Sequence, residues 1–197
     1  MNRLVRIAVV SLMLAPSVGT AQDFDVGLEA AQSGDFETAL REWVPLAEQG
    51  NARAQYNLGV MYANGKGVPQ DDAAAVKWYL LAAEQGVAPA WYNLGLMYDT
   101  GRGVPQDDAR AVKWYRLAAK RGVARAQFNL GVMYAKGKGV PQDHVTAQMW
   151  FNLAGANGVP DANVGRDRVA ALLAPAEVSE AQRRARACLA SNYRDCD

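Results

Sequence analysis

The sequence predicts an all-α protein, a solenoid of antiparallel helix pairs, on three observations. A block of residues returns twice at a constant step. A Gly- and Pro-rich loop divides each returning block into two helical halves. Each half spaces its apolar residues for a helix, and together they present more apolar surface than one helix pair can bury, so stacked pairs must cover it.

The chain has 197 residues, half of them hydrophobic and 21% charged, a globular composition and not a disordered one. Lys and Arg number 21 against 20 Asp and Glu. That balance offers no basic field for phosphates, and nucleic acid is not expected as a partner.

The first element is read as a targeting segment. Arg3 and Arg6 form a basic start, Ile7 to Leu14 a short apolar run, and Gly19-Thr20-Ala21 the small residues of a cleavage site. Residues 1–21 are therefore expected to be a secretory signal cut after Ala21. The alternative, an uncleaved anchor, is disfavoured because a spanning helix needs about 20 apolar residues. No Cys follows the apolar run, so no lipid anchor is expected. The mature protein would be periplasmic or secreted, without stable membrane insertion.

The repeat comes next. Asn57-Leu58-Gly59-Val60-Met61-Tyr62 returns as Asn93 to Tyr98 and as Asn129 to Tyr134, a step of 36 residues. Gly67-Val68-Pro69-Gln70-Asp71 keeps that step at Gly103 and Gly139, and so does Trp78 at Trp114 and Trp150. Three units follow: 51–86, 87–122 and 123–158. In the first, a helix over about 52–63 should end at Asn64-Gly65, where Gly accepts the left-handed conformation. Asp71 or Asp72 then caps a second helix, which stops near Gly86. Ala75, Val76, Tyr79, Ala82 and Ala83 share one face of it. Trp78 and Leu81 lie beside that face and are expected to pack on the following unit. Gly59 sits on a flank of the first helix, where its missing side chain would let another helix approach closely.

The flanks are less regular. Residues 22–50 are expected to form an N-terminal capping helix pair with a short turn and a distortion at Pro45. Residues 159–197 are expected to hold C-terminal capping helices over about 161–173 and 177–191, broken at Pro175, and a tail. Cys188 and Cys196 are both in this last stretch, where export would permit a disulfide; two free thiols are the alternative. Arg183, Arg184 and Arg186 read as a solvated face.

The pattern Ala-x-x-x-Leu-Gly-x-x-Tyr, then Gly-x-Gly-Val, Asp, Ala-x-x-Trp-Tyr and Ala-Ala resembles the Sel1-like repeat family, a relative of the tetratricopeptide repeat. The resemblance covers the three units and implies a right-handed solenoid whose first helices line a concave side. The residues that helical phase then places on that side are Arg53, Tyr56, Val60, Ala63 and Asn64. They are joined by Tyr92, Leu96, Asp99 and Thr100, and by Arg125, Phe128, Val132, Ala135 and Lys136. They suit an extended peptide or a partner helix. The alternative is that the array buries the aromatic members. Asn57, Asn93 and Asn129 recur in every unit, which favours a structural hydrogen bond over a ligand role. Trp91, where the other units have Gln55 and Gln127, reads as extra core.

The expected function is an exported scaffold or regulator that binds a protein or peptide, as a monomer. A peptidoglycan- or glycan-binding role is the second reading. A hydrolase is the third, because some Cys-rich Sel1-like proteins have been associated with penicillin binding or hydrolysis. Those carry a Cys pair in each repeat, and this chain has one pair outside the repeats. His144 is the only His, and no Ser-x-x-Lys, Gly-x-Ser-x-Gly, phosphate loop or metal motif occurs. No catalytic residue, cofactor or metal is therefore expected.

Overall fold

The computed structural model describes residues 23–196. The expected signal segment, residues 1–21, lies outside the described residues. Ten helices make up the described chain, and the first eight run in antiparallel pairs. The first pair is α1 (Phe24–Ser33) with α2 (Phe36–Glu48), and the second is α3 (Ala52–Asn64) with α4 (Asp72–Glu84). Then come α5 (Ala88–Thr100) with α6 (Asp108–Ala119) and α7 (Ala124–Lys136) with α8 (His144–Ala156). The last two are α9 (Asp161–Ala170) and α10 (Pro175–Ala190).

Local chemistry sets these limits. Asp71, Asp107 and Asp143 each accept a hydrogen bond from the backbone N–H three residues on, so the second helix of every unit starts at the same register. Gly65, Gly101 and Gly137 end the first helices with φ of 64°, 71° and 66°. α2 runs through Pro45 without interruption. The ring comes in the last turn, where only the Arg41 carbonyl loses its helical donor, so the expected distortion does not break the helix. The expected break lies just before Pro175, at residues 171–174. Pro175 is the first residue of α10, where a missing N–H costs nothing, and the Glu177 carboxylate accepts from the Ala174 N–H at 2.8 Å.

Each pair closes on one contact. The ring of Tyr79 in α4 lies against Gly59 of α3, and a Cβ there would stand 2.5 Å from the ring. Gly95 with Tyr115, Gly131 with Phe151, and Gly27 with Trp43 repeat the arrangement. The N-terminal pair is thus built like the other three, with a shorter turn. A second aromatic completes each contact: Phe24, Tyr56, Tyr92 and Phe128 pack on Trp43, Tyr79, Tyr115 and Phe151, with ring centroids 5.7–6.1 Å apart. Around these rings, Leu58, Leu94 and Leu130 are buried with the small Ala faces of the second helices.

One expectation is reversed. Trp78 is half-buried against the core of α1, α2 and α3, behind it and not ahead. Leu81 is exposed, and so is its counterpart Leu117. The face of α4 that meets α5 is made of Ala75, Val76, Ala82 and Ala83. Small residues bring α5 close there and leave Trp78 on the edge turned toward the preceding pair.

Position 55 of the repeat ties consecutive pairs together. Gln55 Nε2 donates to the Ala47 carbonyl, Gln127 Nε2 to Ala119, and the Trp91 indole N–H to Ala83, at 2.9–3.1 Å. Trp91 therefore keeps the same hydrogen bond as the glutamines. Its ring cannot also accept one as they do from Gln85 and Asn157. In that unit Arg121 lies over the indole face instead, 5.5 Å from the ring centre.

At the C-terminal end α9 packs on α8 and α7, in the place of a further first helix, while α10 packs on α8. Ala181, Ala185 and Cys188 of α10 join the core of the third unit. A disulfide joins Cys188 to Cys196 and turns the tail back, so that the Tyr193 hydroxyl reaches Asn157. Arg183 and Arg184 are exposed and pair with Glu180 on their own helix. No helix among the described residues is long and apolar enough to cross a membrane.

Candidate functional site

The odd-numbered helices form one layer of the solenoid. Where two of them flank a second helix from below, a hollow opens between units. One, of about 400 Å³, lies between α3 and α5, with Tyr79 of α4 at its floor. Its walls include Tyr56, Val60, Asn93, Leu96 and Arg102. A second, of about 410 Å³, lies between α7 and α9 over Phe151 of α8, and includes Phe128, Val132, Lys136, Val164 and Arg168. The two are the same place in the repeat, two units apart.

The intervening position, between α5 and α7, carries an acid on its wall. Asp99 stands where Ala63 and Ala135 line the other two. Lys138 Nζ lies 2.6 Å from its carboxylate and also pairs with Asp108, and the Tyr115 hydroxyl donates to Asp99 at 3.2 Å. A charged cluster thus separates the hollows.

Arg102 and Lys138 occupy equivalent loop positions and clasp the unit before them. Arg102 pairs with Asp72 at 2.6 Å and donates to the Ala63 carbonyl. This pairing holds the Asp72 carboxyl below its ordinary value, the hydrogen bond from Arg102 being the main cause. The adjoining Gly103 rests directly on the Asp72 carbonyl, and Gly139 on that of Asp108, leaving no room for a Cβ. His144 takes the third clasp position, and its counterpart loop residue, Ala174, carries no cation.

Electrostatics in the hollows follows from burial. The Tyr56, Tyr79 and Tyr115 phenols are pushed up in pKa chiefly by burial, so they stay neutral donors. Asn93 beside Tyr56 and Tyr79, and Asn129 beside Tyr115, partly offset that rise. These recurring asparagines thus join one unit to the next.

The sequence-derived candidates divide accordingly. Tyr56, Val60 and Leu96 come together in the α3/α5 hollow, and Phe128, Val132 and Lys136 in the α7/α9 hollow. Tyr56, Tyr92 and Phe128 are half-buried. Arg53 lies over the Phe24 ring at 3.9 Å, Asp99 belongs to the intervening cluster, and Arg125 is exposed at the start of α7. Ala63 is buried, at 8% exposure, since it closes the bottom of its hollow. Sequence reasoning missed Asn93, Tyr79, Val164 and Arg168 as lining residues. The 36-residue step carried past residue 158 would have placed Val164 under Phe128 and Arg168 under Val132. Among the described residues no group of His, Cys, Asp and Glu is placed to hold a metal.

Comparison with known proteins decides the family: the Sel1 repeat model matches residues 52–87, 88–123 and 124–159, more than half of the chain. The chain belongs to the Sel1 repeat family. The matched Sel1 repeats begin one residue after the units phased from the sequence. Among solved structures, a Sel1 repeat protein from Oxalobacter formigenes is similar with 34% identity and a TM-score of 0.70, over 73% of this chain and 59% of that one. A protective antigen of uropathogenic Escherichia coli strains with an SLR fold shares 27% identity at a TM-score of 0.55, over 88% of this chain and 46% of that one. Cysteine-rich protein B of Helicobacter pylori, 23% identical at a TM-score of 0.52 over 66% of this chain and 92% of its own, shares the fold. A 60-residue stretch is 37% identical to DAP3-binding cell death enhancer 1 of Rattus norvegicus, covering 30% of this chain and 12% of that protein. This chain thus spans less than two thirds of the length of the first two structures and of the rat protein. Sel1 repeat proteins generally mediate protein–protein interaction and are generally non-catalytic.

Proposed function

We propose that this Sel1 repeat protein is an exported interaction scaffold, periplasmic or secreted, that holds a partner protein or peptide along the layer formed by α3, α5, α7 and α9. The observation that carries the reading is the pair of equivalent hollows, each walled by an aromatic and an aliphatic side chain and separated by the Asp99–Lys138 cluster. A segment lying across the layer would place one side chain in each hollow, with the polar groups between them setting its register. Export rests on the basic and apolar start of the chain.

A photoreactive amino acid at Val60 or Val132, with the exposed Leu117 of α6 as a control, tests the site. The variants are irradiated in an extract of the producing cell. A single partner crosslinked from Val60 and Val132 and not from Leu117 supports the reading. Crosslinking from Leu117 alone, or from none of the three, rejects it. Export is tested by the amino-terminal sequence of the mature protein, expected to begin at Gln22.

A further inference from the structure

The two hollows share their architecture and differ in chemistry. Residues of the first have counterparts 72 positions on: Tyr56 and Phe128, Tyr79 and Phe151, Asn93 and Gly165. In the first hollow two phenols and the Asn93 amide line the same cavity. In the second all three polar groups are missing together. Loss of a single one would strand a buried donor or acceptor at a cost of about 1–3 kcal/mol, whereas removal of the whole set strands nothing. What remains is a floor of two phenyl rings. Gly165 keeps it open, since a Cβ there would stand 2.8 Å from the Phe151 ring.

This hollow is also incompletely covered. α10 packs on α8 and not on α9, so the apolar side of α9 lacks the second helix that every earlier unit supplies. Val164 is 53% exposed in consequence. The rim has changed as well. Lys136 replaces Asn64 and Arg168 replaces Leu96, and neither forms an ion pair among the described residues. Asp161 is the single acid on the rim. The cations of the other junctions, Arg102 and Lys138, are by contrast held in their own clasps.

We propose that the α7/α9 hollow is the anchor subsite of the scaffold, taking a bulky apolar side chain from an acidic peptide segment whose flanking carboxylates meet Lys136 and Arg168. This rests on the reading of the layer as a binding face and adds the chemistry of the partner. The sign of the rim selects the occupant. The chain's own residues 1–22 have an apolar run but carry Arg3 and Arg6 and no acid, so they have the wrong charge.

The probe is a short synthetic peptide with phenylalanine between glutamates, beside versions with serine for phenylalanine and lysine for glutamate. Amide and methyl NMR shifts of the full mature chain report where each binds. The expected result is saturable shifts at Phe128, Val132, Val164 and Val169 with the Glu/Phe peptide, and binding weaker by about tenfold or more for the other two. The double variant Lys136→Glu, Arg168→Glu, checked for unchanged melting, should prefer the lysine-flanked peptide. Equal binding of acidic and basic peptides, equal binding of phenylalanine and serine peptides, or shifts elsewhere would overturn the proposal. Shifts of the same residues that grow with protein concentration without peptide would assign the hollow to a second copy and also overturn it. If Val60 and Val132 crosslink a partner whose capture ignores the charge reversal, the anchor proposal fails while the scaffold reading stands.

Discussion

Gly95→Ala tests the contact on which every helix pair is built. An added Cβ would stand 2.5 Å from two atoms of the Tyr115 ring, about 1 Å inside van der Waals separation. The ring has nowhere to retreat. Tyr115 is fully buried, Tyr92 packs against it, and its hydroxyl is tied to Asp99. Overpacking of so constrained a site costs about 2–3 kcal/mol. Replacing a mid-helix glycine by alanine returns about 1 kcal/mol of helix propensity. The net loss is about 1–2 kcal/mol, a fall in Tm of about 2–8 °C for a chain of this size. Gly155→Ala is the matched control. It has the same propensity gain in α8, but its Cβ would stand 3.2 Å from the Asn163 side chain, which can turn aside, and at an ordinary 3.9 Å from the Ala162 Cβ. It should be neutral or raise Tm. Gly131→Ala should fall between the two, because Phe151 has no hydroxyl to tether it and its ring is 2.9 Å from the new atom. The assay is thermal and urea unfolding followed by circular dichroism. A Gly95→Ala protein as stable as Gly155→Ala would refute the idea that close aromatic–glycine packing sets the spacing of each pair.

Three further outcomes are expected. Trp91→Gln should cost about 1–2 kcal/mol through lost burial, and adding Arg121→Gln should recover about 0.5–1 kcal/mol by recreating the Gln55–Gln85 pairing; additive losses in a double-mutant cycle would show that the two positions are independent. Asp72 has a lowered pKa beside Arg102, so its contribution should be complete above the ordinary carboxylate value of 3.8 and vanish as the pH falls through its lower folded value; a Tm gap between wild type and Asp72→Asn that does not close in acid would contradict this. Cys196→Ser should lower stability by about 2–3 kcal/mol, given the short loop the disulfide closes, with the helical signal of the repeats retained; equal melting of the two proteins would mean that the tail does not contribute.

Much of this molecule was legible before any coordinates. The 36-residue step located three units, and the Asp and Gly residues at its boundaries placed helix ends to within a residue or two. Gly59 was legible as a place of close approach because a helix flank without a side chain has few other uses. Trp78 was not, since helical phase says that a side chain leaves the main face but not which neighbouring pair it meets. The break at Pro175 was legible but its bounds were not, since a proline marks a helix boundary without saying whether it precedes or opens the next helix. Helical phase puts the candidate residues of all three units on one concave side. The structure divides it, because one aspartate in the middle unit draws in a lysine from the next loop.

The sequence by itself determined the fold class, the repeat and its register, since these depend on hydrophobic period, capping and turn residues, which act over a few neighbouring positions. Only the tertiary structure decided that Arg102 and Lys138 clasp the preceding unit, that α10 leaves α9 half-covered, and that residues 72 positions apart form two hollows of different polarity. Those features arise where side chains from three helices converge, and no local pattern along the chain records which three will meet.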